Sequence, residues 1–548
     1  MATQLKAAEV ASKKVGTIDQ VSPKSNELVL ALSGLAGSGC SAIARQMETL
    51  LSAKGYVVHI VKMSAIIAEK TQKPLPEIVS GVQKGQSVLE RAIAMQNSGD
   101  DIRHQHGNFA LSSFAIQKIS EMRGEAQPGK EKIAFIVDSL KHPQEVDLFR
   151  RVYDSSFKLM AVHCNKENRD TRLFGEMTGS AKFSGSDKAQ FEKFIARDED
   201  DSGNAHGQHV KDVFHQADFF LDNSVPSPLA GATANPELDR FFDLVLNNKI
   251  YRPTIGEKAI YHAFGAALQS SCLSRQVGAC LVSQSGEVIA LGTNDPPKFG
   301  GGIYNENSSP DARCHKFEFS MEDGAVFVGC HNDRKKTELI KSISEWAKEK
   351  LIPAITENMK IPEGDDNRRN KAKKLLIETM DGLESVFDTL PGIRSLIEFS
   401  RSIHAEMDAI LSAAREGRST VGCDLYVTTY PCHSCARHLV AAGIRNVYFV
   451  EPYTKSLAME LHKDAVIDSL PSGKASDIHQ MTVVPFTGVG PSMFRDSFLK
   501  KGDLKHGGGV LNVPDQGLPD SAVRLSDLKV VETRAIELAS AGKAPAND

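Results

Sequence analysis

Aromatic side chains are scarce in this 548-residue chain, at 6% Phe, Trp and Tyr with a single tryptophan. Neither sign of charge dominates: 65 Lys and Arg stand against 69 Asp and Glu, a formal net charge of −4. Proteins that hold single-stranded nucleic acid stack bases on aromatic rings inside a basic groove, so both shortages argue against that class. A local basic patch stays compatible with them. No stretch is long and apolar enough to cross a bilayer, and the first residues, Met1 to Lys6, lack the apolar core of a secretory signal. The nine cysteines are odd in number and scattered, which makes no disulfide framework. Several fall at metal-ligand spacing instead, which suits a reducing compartment. The expectation is a cytoplasmic globular protein with no membrane partner. At this length two or three domains are expected rather than one core.

A local absence is equally informative. Leu28–Ser33 reads as a buried strand and leads into Gly34, Leu35, Ala36, Gly37, Ser38, Gly39, Cys40 and Ser41, followed by a helical run through Leu51. Strand, glycine loop and helix form the layout of a P-loop, whose backbone amides cradle phosphates. The lysine of that pattern is missing, and Cys40 stands in its place. Lysine carries charge along with the phosphates during phosphoryl transfer, so its loss damages catalysis more than binding. Further strands follow at 57–61, 133–138, 158–163 and 218–222, with Asp138 in a Walker-B-like position. Arg169 and Arg172 open a charged stretch, to about 207, with the character of a lid. Alternating strands and helices imply an α/β fold, here an N-terminal P-loop NTPase-like parallel sheet with helices on both faces. Three readings stay open: an active kinase, a regulatory sensor of a purine nucleotide or deoxynucleotide with or without Mg2+, or a scaffold with a vestigial loop.

The densest chemistry lies between His404 and Cys435. One imidazole and the thiols of Cys432 and Cys435 supply three ligands for a tetrahedral zinc with one position left for water. Glu406, two residues beyond His404, is placed to move protons rather than to bind metal. Ile403, Met407, Ile410, Leu411 and Ala414 recur at helical period, which predicts a helix over 404–416. Residues 424–429 read as a strand, and Pro431 is expected to open a second helix over 431–442. Cys432 and Cys435 then lie in its first turn, where free amides favour thiolates. Helix 255–271, strands 276–282 and 287–293 joined through Ser285-Gly286, and strand 446–451 complete the segment.

The H-x-E…P-C-x-x-C spacing resembles that of zinc deaminases. With Val277-Gly278-Ala279, Thr293-Asn294 and the less specific Phe486–Pro491, residues 255–495 resemble the deoxycytidylate deaminase branch of the cytidine deaminase fold. The resemblance implies a C-terminal cytidine deaminase-like α/β/α domain, catalytic zinc on His404, Cys432 and Cys435, Glu406 as the acid–base, and Asn294 with Ala405 at the substrate. The fusion to a P-loop kinase-like domain is similar to bacterial anti-phage dCTP/dCMP deaminases. That likeness implies depletion of the deoxycytidine nucleotide pool, a homo-oligomer, and an inhibitory small RNA as partner. It also implies a second, structural zinc, with Cys272, Cys314, His315, Cys330 and His331 as candidate ligands. The expected organisation is a flexible tail (1–26), the P-loop domain (27–225), a linker (226–254), the deaminase domain (255–500) with an insertion at about 295–400, and a loosely ordered extension (501–548) ending in a helix at 526–540. The expected activity is hydrolytic deamination of a free deoxycytidine nucleotide. A nucleic-acid-editing cytidine deaminase, built on the same zinc centre, is the alternative.

Overall fold

The computed structural model describes residues 26–72, 88–124, 131–178, 185–201, 203–224, 235–247, 249–321, 324–359, 365–380, 382–388, 390–394, 396–452, 456–468, 479–500, 505 and 525–540. The expected tail lies outside them, apart from Asn26. In chain order the strands of the first half are β1 (Glu27–Ser33), β2 (Val57–Lys62), β3 (Ile133–Asp138), β4 (Phe157–His163) and β5 (Phe219–Asp222). They pair in parallel in the order β2-β3-β1-β4-β5. Every residue of β1 and β3 is buried, which explains their unbroken apolar sequence: both faces of a parallel sheet are covered. Leu28, Leu30 and Leu32 point into one core with Ile43, Met47, Phe241 and Phe242. Val29 and Ala31 point into the opposite core with Ile116, Phe135 and Phe149.

The second half supplies β6 (Gly278–Val282), β7 (Val288–Thr293), the short hairpin β8 (Phe319–Ser320) and β9 (Val326–Phe327), β10 (Asp424–Thr429), β11 (Asn446–Glu451), β12 (Val466–Ile467), β13 (Met481–Pro485) and β14 (Gly488–Val489). The second sheet runs β12-β13-β11-β10-β6-β7, parallel from β12 to β10 and antiparallel across β6 and β7. Ala279, Leu281, Leu425 and Val427 face Ala405, Ala409 and Leu439 of the helices Ala405–Arg415 and His433–Ala441. Cys280, Val282 and Tyr426 face the helix Ile255–Ala267, in a cluster that runs without a break into the N-terminal core.

The two halves are more entangled than a linker implies. Within 226–254 the helix Pro236–Val245 buries Leu238, Phe241 and Phe242 in the N-terminal core, because its apolar stripe has no other surface to cover. β14, expected as part of the deaminase domain, pairs antiparallel with β5 of the first sheet. The helix Leu525–Ser540 is docked rather than loose. Its buried Glu532 accepts from Arg123, which also pairs with Glu27, and from the Tyr153 hydroxyl. The charged insertion forms the helices His331–Asn358 and Asp366–Met380 with two shorter ones behind them.

Candidate active site and glycine-loop cavity

Helix Ala405–Arg415 starts at the C-terminal end of β7 and lies against it, with Gly292 as the contact. A Cβ on Gly292 would sit 2.0 Å from the Ala405 carbonyl oxygen and 2.4 Å from the Ala409 amide. The Thr293 amide donates to Asp408 at 3.1 Å and fixes the helix start. His404 is therefore the N-cap of this helix and Glu406 lies in its first turn. Cys432 caps the helix His433–Ala441 and its sulfur accepts from the Cys435 amide at 3.4 Å. Pro431 precedes the cap and does not open the helix: the helix begins at His433, since the chain stays extended through Cys432 (φ −71°, ψ 166°) so that its sulfur can reach that amide.

These two helix starts bring His404, Cys432 and Cys435 together with ligand atoms within 4.8 Å of one another. His404 Nδ1 lies 3.2 Å from Cys435 Sγ and 3.4 Å from Cys432 Sγ. Hydrogen bonds from Cys435 and His404 pull the Cys432 thiol down to about 4, and its bond to Cys432 lifts His404 to about 9. Two sulfurs with one imidazole converging on a point fit zinc. Glu406 is 4% exposed, and burial raises its carboxyl above the ordinary range. His404, Glu406 and Cys432 border a cavity of about 410 Å³, and Cys435 is fully buried beside them.

Residues 254–451 match the cytidine and deoxycytidylate deaminase zinc-binding region. Among curated proteins, the chain is similar to ComE operon protein 2 of Bacillus subtilis, 46% identical over 67 residues, which is 12% of this chain and 35% of that protein. It is also 46% identical over 54 residues to the deoxycytidylate deaminase of Enterobacteria phage T4, 10% of this chain and 28% of that one. The chain thus spans about a third of the length of the curated relatives it matches. A crystal structure of the dCMP deaminase of cyanophage S-TIM5 with dCMP and dUMP overlays 43% of this chain and 99% of its own, at 16% identity and a TM-score of 0.22.

Asn294 and Ala405 both line the cavity. The Asn294 amide is already engaged with the backbone: its Oδ1 accepts from Val277 at 2.7 Å and its Nδ2 donates to Arg275 at 2.8 Å. Two cations that spacing did not reveal also reach the cavity, Arg275 and Arg401. Arg401 stacks over Phe317 at 4.1 Å, and its Nη1 is buried without a hydrogen-bond partner. Arg275 and His215, from the two halves of the chain, both pair with buried Glu451. Cys272, Cys314, Cys330 and His331 line the same cavity, while His315 does not. Among the described residues they form no group of three ligand atoms within 4.8 Å.

The glycine loop borders a separate cavity of about 630 Å³. Gly39 caps the helix Cys40–Ala53 at φ 90°, and a Cβ there would lie 2.4 Å from Asn223 Nδ2, so only glycine fits. The Ser41 hydroxyl donates to Asp138 at 2.5 Å, the pairing expected of a loop serine and a strand-end aspartate. Gly34, Gly37, Ser38, Gly39, Cys40, Ser41 and Asp138 all border the cavity. Cys40 itself is buried, and burial pushes its thiol up to about 12. It supplies no charge. The cations come from elsewhere: Arg45, Lys62, Lys141 and Arg172 line this cavity. Lys141 Nζ donates to the Gly34 carbonyl at 2.7 Å and to Asp198 at 2.8 Å, and Asp198 accepts from the Ala36 amide at 2.5 Å.

Proposed function

We propose that this chain is a zinc-dependent hydrolytic deaminase of free deoxycytidine nucleotides, dCTP and/or dCMP, releasing the deoxyuridine nucleotide and ammonia. The observation that carries this reading is the buried Glu406 beside the converging His404, Cys432 and Cys435, at the wall of one cavity. Zinc bound there would lower the pKa of water and polarise the reaction centre. His404, Cys432 and Cys435 would hold it. Glu406 accepts the proton of the attacking water and delivers protons to N3 and to the departing amine. A carboxyl whose proton affinity burial has raised suits both directions of transfer.

Arg401 gives the cavity a cation for a phosphate group, and its partnerless Nη1 favours an anionic substrate over a bare nucleobase. Asn294 and Ala405, which line the cavity, are the substrate-binding candidates, with Asn294 at the sugar by resemblance. Supported only by resemblance are depletion of the deoxycytidine nucleotide pool against phage, a homo-oligomer, an inhibitory small RNA, and a second zinc drawing on Cys272, Cys314, His315, Cys330 or His331.

The glycine-loop cavity is best read as a nucleotide sensor. Loop amides, the Ser41–Asp138 pair and four cations favour a phosphorylated ligand with or without Mg2+. The neutral buried Cys40 disfavours phosphoryl transfer.

The test is a substrate panel with zinc-loaded protein: dCTP, dCMP, CTP, deoxycytidine and cytosine in single-stranded DNA, with products separated by chromatography. Conversion of deoxycytidine nucleotides, abolished in Glu406→Gln while zinc content stays at wild type, is the expected result. Activity confined to the DNA strand overturns the reading in favour of a nucleic-acid editor.

A further inference from the structure

A third cavity, of about 290 Å³, lies between the two halves of the chain. The first half contributes Leu35 of the glycine loop, the residues after β4, and Arg169 of the helix Lys166–Thr178. The second half contributes Tyr430, Phe449, Pro452, Ser456, Met459 and Pro485, among others. Phe449 stands edge-on to Tyr430, with centroids 4.9 Å apart, and edge-on to His163 at 5.7 Å.

Arg169 is the anomaly in this cavity. It is 3% exposed, its Nε has no hydrogen-bond partner, and no carboxylate among the described residues pairs with it. A guanidinium taken out of water without a partner is strongly unfavourable unless something else neutralises it. The other charged groups around the cavity, Lys166, Glu460 and Asp468, are exposed to water. His163, Cys164, Asn165 and Ser456 complete the polar lining, so Arg169 is its one buried cation, beside the aromatic walls of Tyr430 and Phe449.

We infer that this cavity is an effector site for a small anion with a flat apolar body, an aryl or heteroaryl phosphate or carboxylate. Its anionic head sits on Arg169 and its ring lies against Tyr430 and Phe449. The position makes an occupant felt on both sides. The Arg169 stem lies against the glycine loop, since a Cβ on Gly37 would be 2.7 Å from Arg169 Cγ, and Leu35 borders both this cavity and that of the loop. Tyr430 and Ser456 border both this cavity and that of Glu406. Ser456 Oγ donates to the Pro431 carbonyl at 2.8 Å, one residue before Cys432. The coupling to turnover rests on the deaminase reading, whereas the binding site does not.

The experiment is calorimetric titration of the full-length, zinc-loaded protein with phenyl phosphate and with benzoate, using inorganic phosphate as the head without a ring. Arg169→Gln is expected to weaken the better aryl ligand by about tenfold or more, because a charge-assisted pair is lost. Arg172→Gln, at the glycine-loop cavity, is expected to leave it unchanged. Without ligand, Arg169→Gln should hold or raise the melting temperature, the opposite of removing a structural ion pair. Phe449→Leu gives a second variant: it should weaken the aryl ligands and spare inorganic phosphate. Saturating aryl ligand should change the KM or kcat of deoxycytidine nucleotide turnover at least about twofold in wild type and not in Arg169→Gln. Absence of binding by both aryl anions, or binding that survives Arg169→Gln and disappears in Arg172→Gln, overturns the site. Binding that depends on Arg169 but leaves an active enzyme's turnover unchanged overturns its role as an effector.

Discussion

Arg240 meets Glu257 through both carboxylate oxygens, at 2.5 and 2.8 Å, and ties the helix Pro236–Val245 to the helix Ile255–Ala267. Glu257 is fully buried and also accepts from the Thr254 amide at 2.7 Å and the Val489 amide at 2.8 Å. One carboxylate thus joins a capping box to β14, at the seam between the two sheets. Arg240→Ala strands that charge. A loss of about 3–5 kcal/mol is expected from urea unfolding at neutral pH. A loss below about 1 kcal/mol would mean that the seam is held by its apolar contacts alone.

Gly292→Ala should separate packing from chemistry. The added methyl meets the Ala405 carbonyl and the Ala409 amide, backbone atoms that cannot rotate away, so the helix carrying Glu406 must lift off β7. The expected cost is about 1–3 kcal/mol in stability. Displacement of Glu406 by about 1 Å is expected to lower kcat by roughly 100-fold. Unfolding curves and steady-state kinetics on one preparation check both, and an unaltered kcat would show that the helix start tolerates the shift.

Arg401 should act on the phosphate end of the substrate. Arg401→Gln is expected to raise KM for dCMP and dCTP by about tenfold or more and to leave KM for deoxycytidine unchanged, with kcat little affected. Equal effects on nucleotide and nucleoside would instead assign Arg401 to cavity shape, through its stacking on Phe317.

His142 gives the protein an acid-sensitive helix start. It is buried, caps the helix Pro143–Tyr153, and its Nδ1 accepts from the Gln144 amide at 3.2 Å. Burial lowers its pKa from 6.5 to about 4, with Glu145 opposing. The folded state therefore prefers neutral imidazole. That stability is present above pH 6.5 and is lost as pH falls towards 4, roughly 3 kcal/mol in all. His142→Asn keeps a capping acceptor but cannot titrate. The fall in unfolding free energy between pH 7 and pH 5 should shrink by about 2 kcal/mol in that variant. An identical fall in both proteins would place the acid sensitivity elsewhere.

Sequence alone determined whatever depends on near neighbours in the chain. The spans 133–138, 424–429 and 446–451 form strands at those bounds, because an apolar run that must be covered on both faces has one local solution. The gathering of His404, Cys432 and Cys435 was legible for a related reason. Each set of ligands sits at a helix start whose cap and spacing are short-range features, and one sheet carries both helices. Tertiary structure decided everything that comes from crossing the seam. Lys141 is a hundred residues from the loop whose Gly34 carbonyl it holds, and no spacing rule connects them. Arg169 stands six residues past β4 and reads in sequence only as the start of a charged stretch, whereas the fold buries it without a partner at a cavity lined by both halves. The helix 236–245 and β14 read as linker and domain interior until packing assigned their apolar faces. A hydrophobic stripe specifies that it must be buried, and the surface that buries it is chosen by the rest of the chain.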